Sequence, residues 1–360
     1  MRILLIANIN SPHTRKWAEA LNDSGQTVGL FSIDPLKSDN WSGGLARVFY
    51  PDKKNTVLPL RYIQLYFKLR KLIKDFKPDV LHAHYLTNYG FLASISGHKT
   101  LVSTAWGSDV YAFPSQSLLN REVLKFILKK SAAIISTSDT MKAEVQKYTS
   151  KKIEVLPFGI DFSKYQERKE KENKESSTIA CFKRLEKVYG IDMLIKSFAE
   201  VRKRLPDRQI KLVLYGEGSE KSTLQDLVKA HNLQNEIEFR GWIKPEQIYE
   251  ALAHVDLCVY LSQRESFGVA LIEAMAAHCP LVVANLPAFL EVAGSPDHAL
   301  FVEDRSIEAA AEKMVYALTH PVAMLEMTHT AYSSARARYD LNENIKGQLR
   351  IYQEVLANTK

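Results

Sequence analysis

The feature that most constrains the fold is a regular alternation of short apolar runs with longer amphipathic stretches along the whole chain. The short runs are rich in β-branched residues, as buried strands are, and the longer stretches repeat their apolar residues at helical spacing. This alternation is typical of parallel sheets covered by helices on both faces. We predict strands at residues 3–7, 28–33, 80–82, 101–104, 134–137 and 153–156, and then at 179–182, 211–215, 237–239, 257–261 and 281–284.

A charged stretch interrupts the alternation near the middle of the 360-residue chain. Residues 167–177 contain no apolar side chain, so this segment cannot enter a core and is interpreted as a linker. A chain of this length favours two domains. We therefore predict an α/β protein with two doubly wound parallel-sheet domains, at 1–165 and 178–338, a linker at 166–177, and a C-terminal helical segment at 339–360 that packs back on the first domain.

Composition and segment lengths exclude several classes of protein. The chain has 46% hydrophobic and 25% charged residues, which excludes collagen-like and largely disordered proteins. No apolar run approaches the ~18 residues of a membrane-spanning helix, and the opening run at 1–7 is too short for a signal peptide, so we expect a cytoplasmic protein. Cys181, Cys258 and Cys279 lack CxxC spacing and lie in or beside apolar runs, which predicts buried structural thiols.

Two common nucleotide-binding fingerprints are absent. The first predicted strand is followed by Asn8-Ile9-Asn10-Ser11 instead of GxGxxG, which argues against a dinucleotide-binding dehydrogenase. The segment 215–222 contains Gly216 and Gly218, but Glu220 stands where a phosphate-binding Walker loop needs glycine. These two glycines therefore mark either a tight connection from strand to helix or a ligand contact.

Positive charge is concentrated in the first half of the chain. The net charge is +7, and residues 1–165 contain 23 lysines and arginines against 13 acidic residues. Two basic amphipathic helices are predicted there, at 61–76 and 121–130. For both helices, packing of the apolar face on the sheet is favoured over insertion in a membrane, and attraction to an anionic membrane is compatible with either.

The most specific motif is Glu265-Ser266-Phe267-Gly268 followed by Glu273-Ala274-Met275-Ala276, which places two glutamates eight residues apart. This motif resembles the retaining glycosyltransferases of family 4. Further segments in the same order resemble that family, at 13–21, 82–85, 104–109, 184–185, 189–192 and 216–218. The resemblance implies a GT-B fold, in which two Rossmann-like domains face a central cleft, and transfer of a sugar from a nucleotide-diphosphate donor bound mainly by the second domain.

The motif also indicates how such a donor is bound. A helix is predicted to begin near Gly268, so the free backbone N–H groups of Ser266, Phe267, Gly268 and Val269 form an anion site for a diphosphate. The resemblance implies that Glu273 accepts hydrogen bonds from the ribose hydroxyls. It also implies that Glu265 faces the sugar, where it would orient the donor and stabilise positive charge at the anomeric carbon.

Cationic side chains are expected to stabilise the leaving diphosphate, because the sequence lacks the Asp-x-Asp pair that metal-dependent transferases use. Arg184 matches the phosphate-binding arginine of the family, and we assign it a catalytic role. Tyr189 replaces the lysine that the family carries five positions later, so Lys183 or Lys187 is expected to supply the second cation. We expect no metal and no resident cofactor.

The acceptor side is predicted in the first domain. The resemblance implies that His84, Tyr85 and Asn88 line the acceptor pocket. His84 is favoured over His82, because strand alternation is expected to send the two side chains to opposite faces. Trp106 stands where many family members carry a histidine that touches the donor sugar, and either its ring or the nearby Asp109 is expected to take over that contact. Asn10, after the first strand, completes the predicted acceptor set.

We therefore predict a retaining, metal-independent glycosyltransferase with a uridine or guanosine diphosphate sugar as donor. The expected acceptor is a glycan or lipid-diphosphate-linked glycan of a cell-surface polysaccharide pathway, with peripheral attraction to the anionic inner face of the membrane. A soluble sugar is the alternative acceptor. Two other functions stay open: a sugar-nucleotide epimerase of the same fold, and a basic protein that binds nucleic acid or anionic surfaces without turnover.

Overall fold

The structure is a computed structural model that describes residues 1–37, 41, 43–52, 58–166 and 176–359. The chain forms two compact units. The first unit comprises Met1–Gly159 together with Leu341–Lys360, and the second comprises Ile160–Asp340. The chain therefore passes between units at Gly159 and again at Asp340, and most of the predicted linker, residues 167–175, lies outside the described residues.

The first unit is built on a parallel sheet whose seven described strands are ordered β3-β2-β1-β4-β5-β6-β7. The strands are β1 (Arg2–Ile6), β2 (Thr27–Phe31), β3 (Arg47–Phe49), β4 (Val80–His84), β5 (Leu101–Ala105), β6 (Ala133–Ser136) and β7 (Ile153–Val155). Strand order reverses between β1 and β4. In sheets of this kind, such a reversal opens a crevice at the carboxyl ends of the strands.

The helices of the first unit cover both faces of this sheet. They are α1 (Pro12–Asp23), α2 (Leu58–Phe76), α3 (Asn88–Ile95), α4 (Ser108–Tyr111), α5 (Phe113–Gln116), α6 (Leu118–Lys130), α7 (Asp139–Val145) and, from the end of the chain, α15 (Leu341–Ala357). Serine caps begin three of them: Ser11, Ser117 and Ser138 each accept a hydrogen bond from a backbone N–H of the first turn. The apolar face predicted for α2 is in the core, where Leu65, Leu69 and Phe76 are buried.

The C-terminal helix α15 packs on the first unit through specific polar contacts. The Tyr352 hydroxyl lies 2.6 Å from His82 Nδ1, and Asn344 donates a hydrogen bond of 3.0 Å to the Pro157 carbonyl. Gly347 lies against Leu156, whose side chain would be only 2.8 Å from a Cβ at this position. The absence of a side chain at Gly347 therefore lets the helix approach β7 closely.

The second unit contains a parallel sheet whose six described strands are ordered β10-β9-β8-β11-β12-β13. The strands are β8 (Ser176–Phe182), β9 (Gln209–Tyr215), β10 (Ile237–Gly241), β11 (Leu257–Tyr260), β12 (Leu281–Ala284) and β13 (Leu300–Val302). The helices are α8 (Ile191–Arg204), α9 (Lys221–Ala230), α10 (Pro245–Leu252), α11 (Val269–Ala276), α12 (Pro287–Ala293), α13 (Ile307–Thr319) and α14 (Pro321–Tyr339). Strand order again reverses, here between β8 and β11.

These two sheets confirm the predicted fold class and correct several details. Ser176 and Ser177, expected in the linker, begin β8 because they pair with Gln209 and Ile210 of β9. The strands β3 and β13, two three-residue strands at sheet edges, were not predicted. The three cysteines are free and buried, as predicted.

Among the described residues, no helix is long and apolar enough to cross a membrane.

We predict that Tyr352→Phe weakens the packing of α15. The change removes the hydroxyl from a buried contact and leaves His82 Nδ1 without that partner, which should lower the free energy of unfolding by about 1–3 kcal/mol. Urea unfolding followed by circular dichroism measures the change. Tyr50→Phe, at a more exposed tyrosine of the same unit, is the matched control and should leave stability within about 0.5 kcal/mol. Equal stability of the two variants would contradict the assigned contact.

Candidate active site

The predicted donor residues lie at the reversal of strand order in the second unit. Strands β8 and β11 are hydrogen-bonded neighbours, with Ala180 opposite Cys258. Lys183 follows β8 directly, and Glu265 lies in the loop after β11. The two loops touch, since Gln263 N donates a hydrogen bond of 2.8 Å to the Val188 carbonyl. The topology therefore brings together residues that are 82 positions apart in the chain.

A nearly buried ion pair occupies this point. Lys183 Nζ lies 2.5 Å from Glu265 Oε1, and the side chains are only 11% and 9% exposed. The ammonium also lies over the rings of Tyr189, Tyr260 and Phe289, at 5.3, 5.6 and 5.9 Å from their centroids. Attraction to these ring faces adds to the stabilisation of a cation that is largely withdrawn from water.

The electrostatics of the pair keep Lys183 charged. Burial alone would lower the pKa of Lys183, but attraction to the Glu265 carboxylate and the hydrogen bond to it outweigh burial, so the pKa is raised. Glu265 Oε1 accepts a second hydrogen bond, 3.0 Å long, from the Ser262 hydroxyl. The Ser262 carbonyl in turn accepts a hydrogen bond of 2.6 Å from Arg305. Ser262 and Arg305 carry no motif, and the sequence analysis missed both.

The two other predicted cations are exposed. Arg184 is 72% exposed and pairs with Glu186 at 3.0 Å, while Glu186 also accepts a 2.7 Å hydrogen bond from the Ser219 hydroxyl. An ion pair this exposed contributes little to stability because water screens it, so Arg184 can exchange Glu186 for a phosphate at little cost. Lys187 is exposed and lines a cavity with Asp192 and Thr223 at the first turns of α8 and α9.

Gly216 and Gly218 are explained by close backbone packing. A Cβ at Gly216 would lie 2.0 Å from the Lys183 carbonyl oxygen, and one at Gly218 would lie 2.2 Å from that of Leu185. Gly216 also has a φ of +143°, which other residues rarely adopt. Both glycines therefore allow the β9 loop to approach the β8 loop, which supports the tight-connection interpretation and also holds Lys183 in place.

Helix α11 begins where the sequence predicts, and one residue of the preceding loop needs a correction. Gly268 caps the helix with a φ of +113°, and the helix begins at Val269. Ser266 is partly exposed. Phe267 is buried at 3% exposure, with its ring packed edge-on against Tyr339, so only its backbone can serve a ligand. The side chain of Phe267 anchors the loop because it belongs to the core.

Glu273 lies on α11 beside two tyrosines that the sequence analysis did not identify. The Tyr165 hydroxyl is hydrogen-bonded to Glu273, and the ring of Tyr165 packs edge-on against Tyr249 at 4.8 Å. Burial, together with the Glu273 carboxylate, holds the pKa of Tyr165 well above its usual range. Tyr165 therefore keeps its proton and donates it in the hydrogen bond. No sequence signal marks this contact, which spans more than a hundred residues.

In the first unit the structure corrects the argument about the two histidines. Residues two positions apart on a strand share a face, and the rings of His82 and His84 are accordingly 4.5 Å apart. His82 is held by Tyr352 and by the Thr104 hydroxyl at 2.7 Å. His84 is only 4% exposed, and burial lowers its pKa to about 3, so it is neutral. Direct contact of His84 with an acceptor would need an exposed imidazole.

Trp106 belongs to an aromatic cluster. Its ring lies 5.0 Å from His84, 5.9 Å from His13 and 5.3 Å from Phe158, and His13 stacks on Phe158 at 4.7 Å. Burial, with smaller effects of Lys16 and His84, lowers the pKa of His13 to about 3. The cluster is therefore uncharged around neutral pH. Trp106 itself is partly exposed at the end of β5.

Asp109 and Asn10 have structural roles that the sequence analysis did not foresee. Asp109 is fully buried, and its carboxylate accepts hydrogen bonds from the backbone N–H groups of Leu86, Trp106 and Gly107 at 2.8, 3.2 and 2.7 Å. Asp109 therefore joins the loops after β4 and β5 and cannot replace a sugar-binding histidine. The Asn10 side chain joins two loops, donating to the Pro35 carbonyl at 2.8 Å and accepting from Lys37 N at 3.0 Å.

Tyr85 and Asn88 are accessible residues of the predicted acceptor set, in addition to the partly exposed Trp106. Both follow β4 at the reversal of strand order, and Asn88 is exposed at the first position of α3. Tyr85 is partly exposed, and its hydroxyl is hydrogen-bonded to the Ser108 hydroxyl. Its φ of +80° is rare for a residue with a side chain, a conformation that tends to occur at functional sites.

We predict that Lys183→Met lowers the free energy of unfolding by about 3–5 kcal/mol, because it leaves the Glu265 carboxylate buried without its cation. The double variant Lys183→Met with Glu265→Gln should recover most of this loss, since the uncompensated charge is gone. Urea unfolding of the four combinations measures the coupling. Lys187→Met, at an exposed lysine nearby, should change stability by less than about 0.5 kcal/mol. Additive effects of the two substitutions would contradict a direct ion pair.

We predict that Tyr165→Phe weakens donor binding if Glu273 holds the ribose as the resemblance implies. Without the hydroxyl, Glu273 loses the hydrogen bond that orients it, so KM for the donor should rise about 3- to 30-fold while kcat changes little. Tyr316→Phe, at a more exposed tyrosine on α13, is the control. A purely structural role would instead lower stability and leave KM unchanged.

Comparison with known proteins gives two family matches that together span most of the chain. Residues 163–338 match the model of "Glycosyl transferases group 1", and residues 2–138 match that of "Glycosyl transferase 4-like". These two ranges contain every predicted site residue.

Individual proteins are similar over much of their length. The N-acetyl-alpha-D-glucosaminyl L-malate synthase of Bacillus anthracis is 26% identical over 78% of this chain and 76% of its own. The GDP-mannose:cellobiosyl-diphosphopolyprenol alpha-mannosyltransferase of Xanthomonas oryzae pv. oryzae is 25% identical over 77% of this chain and 74% of its own.

A solved structure, that of Anabaena Alr3699/HepE in complex with UDP and glucose, superposes with a TM-score of 0.77 over 97% of this chain and 99% of that one, at 18% identity. This likeness confirms the GT-B fold. With the motif around Glu265 and Glu273 and the two family matches, it follows that the chain is a glycosyltransferase and belongs to the group 1, family 4 glycosyltransferases.

Proposed function

We propose that the protein is a retaining glycosyltransferase that moves a sugar from a uridine or guanosine diphosphate donor, held by the second unit, to a glycan or lipid-diphosphate-linked acceptor held by the first. The observation that carries this proposal is the Lys183–Glu265 pair, which lies at the strand-order reversal where parallel sheets bind their ligands. Membership in the family supports the reaction class.

Each residue of the donor site has a proposed task. The backbone N–H groups at the start of α11, after the cap at Gly268, bind the diphosphate at the positive end of the helix dipole. Arg184 exchanges its exposed partner Glu186 for a phosphate oxygen. Lys183, rather than Lys187, supplies the second cation, because it lies against Tyr189, the position at which the family carries a lysine. Glu273, oriented by Tyr165, accepts the ribose hydroxyls.

The proposed chemistry is attack on the face from which the diphosphate leaves. The bond from the anomeric carbon to the diphosphate oxygen breaks, the acceptor oxygen bonds to the same carbon, and the leaving phosphate oxygen takes the acceptor proton. Arg184 and Lys183 stabilise the charge on the leaving group. Glu265 stabilises the positive charge that develops at the anomeric carbon, and Ser262 and Lys183 hold its carboxylate in place.

We propose that the reaction needs no divalent metal. The sequence has no Asp-x-Asp, and the cations that would replace a metal lie at the proposed diphosphate site.

The acceptor is proposed from charge and from the relatives. The first unit holds the surplus of positive charge, which suits an anionic acceptor or membrane surface. The Xanthomonas relative acts, by its name, on a diphosphopolyprenol-linked sugar, which supports a lipid-linked acceptor in glycan biosynthesis and an enzyme working at a membrane surface. The name of the Bacillus relative includes L-malate, a small soluble molecule. A small soluble acceptor is therefore the second candidate.

Donor binding and turnover test the proposal. Purified protein is screened by thermal shift against UDP- and GDP-linked sugars, and a bound donor at 100-fold its Kd should add about 2.7 kcal/mol of stability. Arg184→Ala should weaken nucleoside diphosphate binding about 10- to 100-fold, because a charge-assisted hydrogen bond is lost. Arg204→Ala, at the last residue of α8, is the matched control and should bind the nucleoside diphosphate normally. Glu265→Gln should lower turnover and leave donor binding nearly unchanged.

Further measurements separate the proposed transferase from the alternative functions. Activity should survive EDTA, and a loss restored by magnesium or manganese would overturn the metal-free mechanism. Release of an altered sugar nucleotide without any acceptor would identify an epimerase. Salt-sensitive binding to nucleic acid with no donor binding would favour the non-enzymatic alternative. Full turnover by Glu265→Gln would remove Glu265 from the reaction.

A further inference from the structure

Helix α2 of the first unit has a second apolar stripe that does not enter the core. Leu60, Ile63 and Phe67 are 59%, 53% and 65% exposed, although Leu65 and Leu69 on the opposite side of the same helix are buried. The exposed residues are spaced by three and four positions, so they form one continuous stripe. Large contiguous apolar surface on a protein usually marks a contact with a partner or a membrane.

Basic side chains flank this stripe. Lys68, Arg70, Lys71 and Lys74 are all exposed on the same helix. Asp75 is the acidic residue of α2, and it pairs with Lys71 at 2.7 Å. The solvent-facing part of the helix thus combines apolar side chains with an excess of positive charge. A helix of this kind lies in the interface of an anionic bilayer, with its apolar side chains below the head groups and its lysines at the phosphates.

A second exposed apolar patch lies on the same face of the sheet. Leu118 and Leu119, at the start of α6, are 77% and 72% exposed. The connections that contain α2 and α6 cross the sheet in the same direction, so the right-handed crossover rule places both helices on one face. Both helices also begin at the carboxyl edge of the strands, so Leu60 and Leu118 project near the same edge, where Tyr85 and Asn88 are found.

We propose that this surface, formed by the α2 stripe with its basic residues and by Leu118 and Leu119, docks the first unit on an anionic lipid bilayer. The apolar side chains enter the interface and the cations bind lipid phosphates. A second copy of the chain fits less well, because a symmetric contact would bring two positively charged stripes together. The assignment of a bilayer as the partner rests on the proposed function, because the lipid-linked acceptor proposed there lies in a membrane.

Vesicle cosedimentation tests the docking surface. Wild-type protein should bind vesicles of phosphatidylcholine with 30% phosphatidylglycerol and bind vesicles of phosphatidylcholine alone much more weakly. Ile63→Ser with Phe67→Ser keeps the net charge and should weaken binding about tenfold or more. Lys68→Glu with Lys71→Glu should also weaken it about tenfold or more, and about 0.5 M salt should reproduce that loss. The matched control is Val322→Ser with Leu325→Ser, two exposed apolar residues on α14 of the second unit, which should bind like wild type.

Insertion is measured directly with a tryptophan at the stripe. Phe67→Trp should show quenching by brominated lipids beyond that of the wild-type protein, and Val322→Trp should not. Wild-type binding by the Ile63→Ser, Phe67→Ser variant would overturn the proposal, as would the absence of extra quenching in Phe67→Trp. A dimer in solution that the same serine variant abolishes would also overturn it, because the stripe would then be a contact between copies.

The experiment separates this proposal from the proposed function. Donor binding by thermal shift is measured on every variant. It should be unchanged in the Ile63→Ser, Phe67→Ser variant and in the Lys68→Glu, Lys71→Glu variant, because these four residues lie in the first unit. Loss of vesicle binding with intact donor binding supports docking through this surface. Donor binding without any vesicle binding by the wild-type protein overturns the docking and leaves the transferase assignment standing.

Discussion

The pairing of Lys183 with Glu265 is the constraint on which the second unit's site depends. Two opposite charges that are about nine-tenths withdrawn from water must stay together, because either one alone would be costly to bury. Their contact fixes the loop after β8 against the loop after β11. Gly216 and Gly218 allow the β9 loop to pack against the loop after β8. Arg305 donates a hydrogen bond to the Ser262 carbonyl in the loop after β11. The loops proposed to bind a diphosphate are therefore preorganised around one electrostatic contact.

The two units use the same topology for opposite chemical environments. Each sheet reverses its strand order once, and the predicted functional residues follow the strands at that reversal or the strand next to them. In the second unit the loops carry charge, through Lys183, Arg184 and Glu265. In the first unit the equivalent edge carries an aromatic cluster of Trp106, His13, His84 and Phe158, whose histidines are neutral. This contrast supports the proposal of an anionic donor on the second unit and of a contact with the apolar face of a sugar ring on the first.

Sequence reasoning predicted features that are encoded locally. The apolar periodicity located eleven of the strands, and the motif from Glu265 to Glu273 located the start of α11. It missed the edge strands β3 and β13, and it separated His82 from His84 although two-residue spacing puts them side by side. Asp109 was misjudged because its partners are backbone N–H groups, which leave no mark in a sequence. The same holds for Tyr165, whose partner Glu273 is distant in the chain.

The return of α15 to the first unit makes the second unit an insertion within the first. The chain leaves after Gly159 and re-enters at Leu341, and these two positions touch, since a Cβ at Gly159 would lie 2.7 Å from Leu341 Cα. On a ribosome, which delivers the chain from its N-terminus, the second unit emerges as one uninterrupted segment and can complete its core immediately. The first unit must wait, with His82 lacking Tyr352, until the last helix has been synthesised. The first unit therefore begins its synthesis before the second unit but receives its last helix after it.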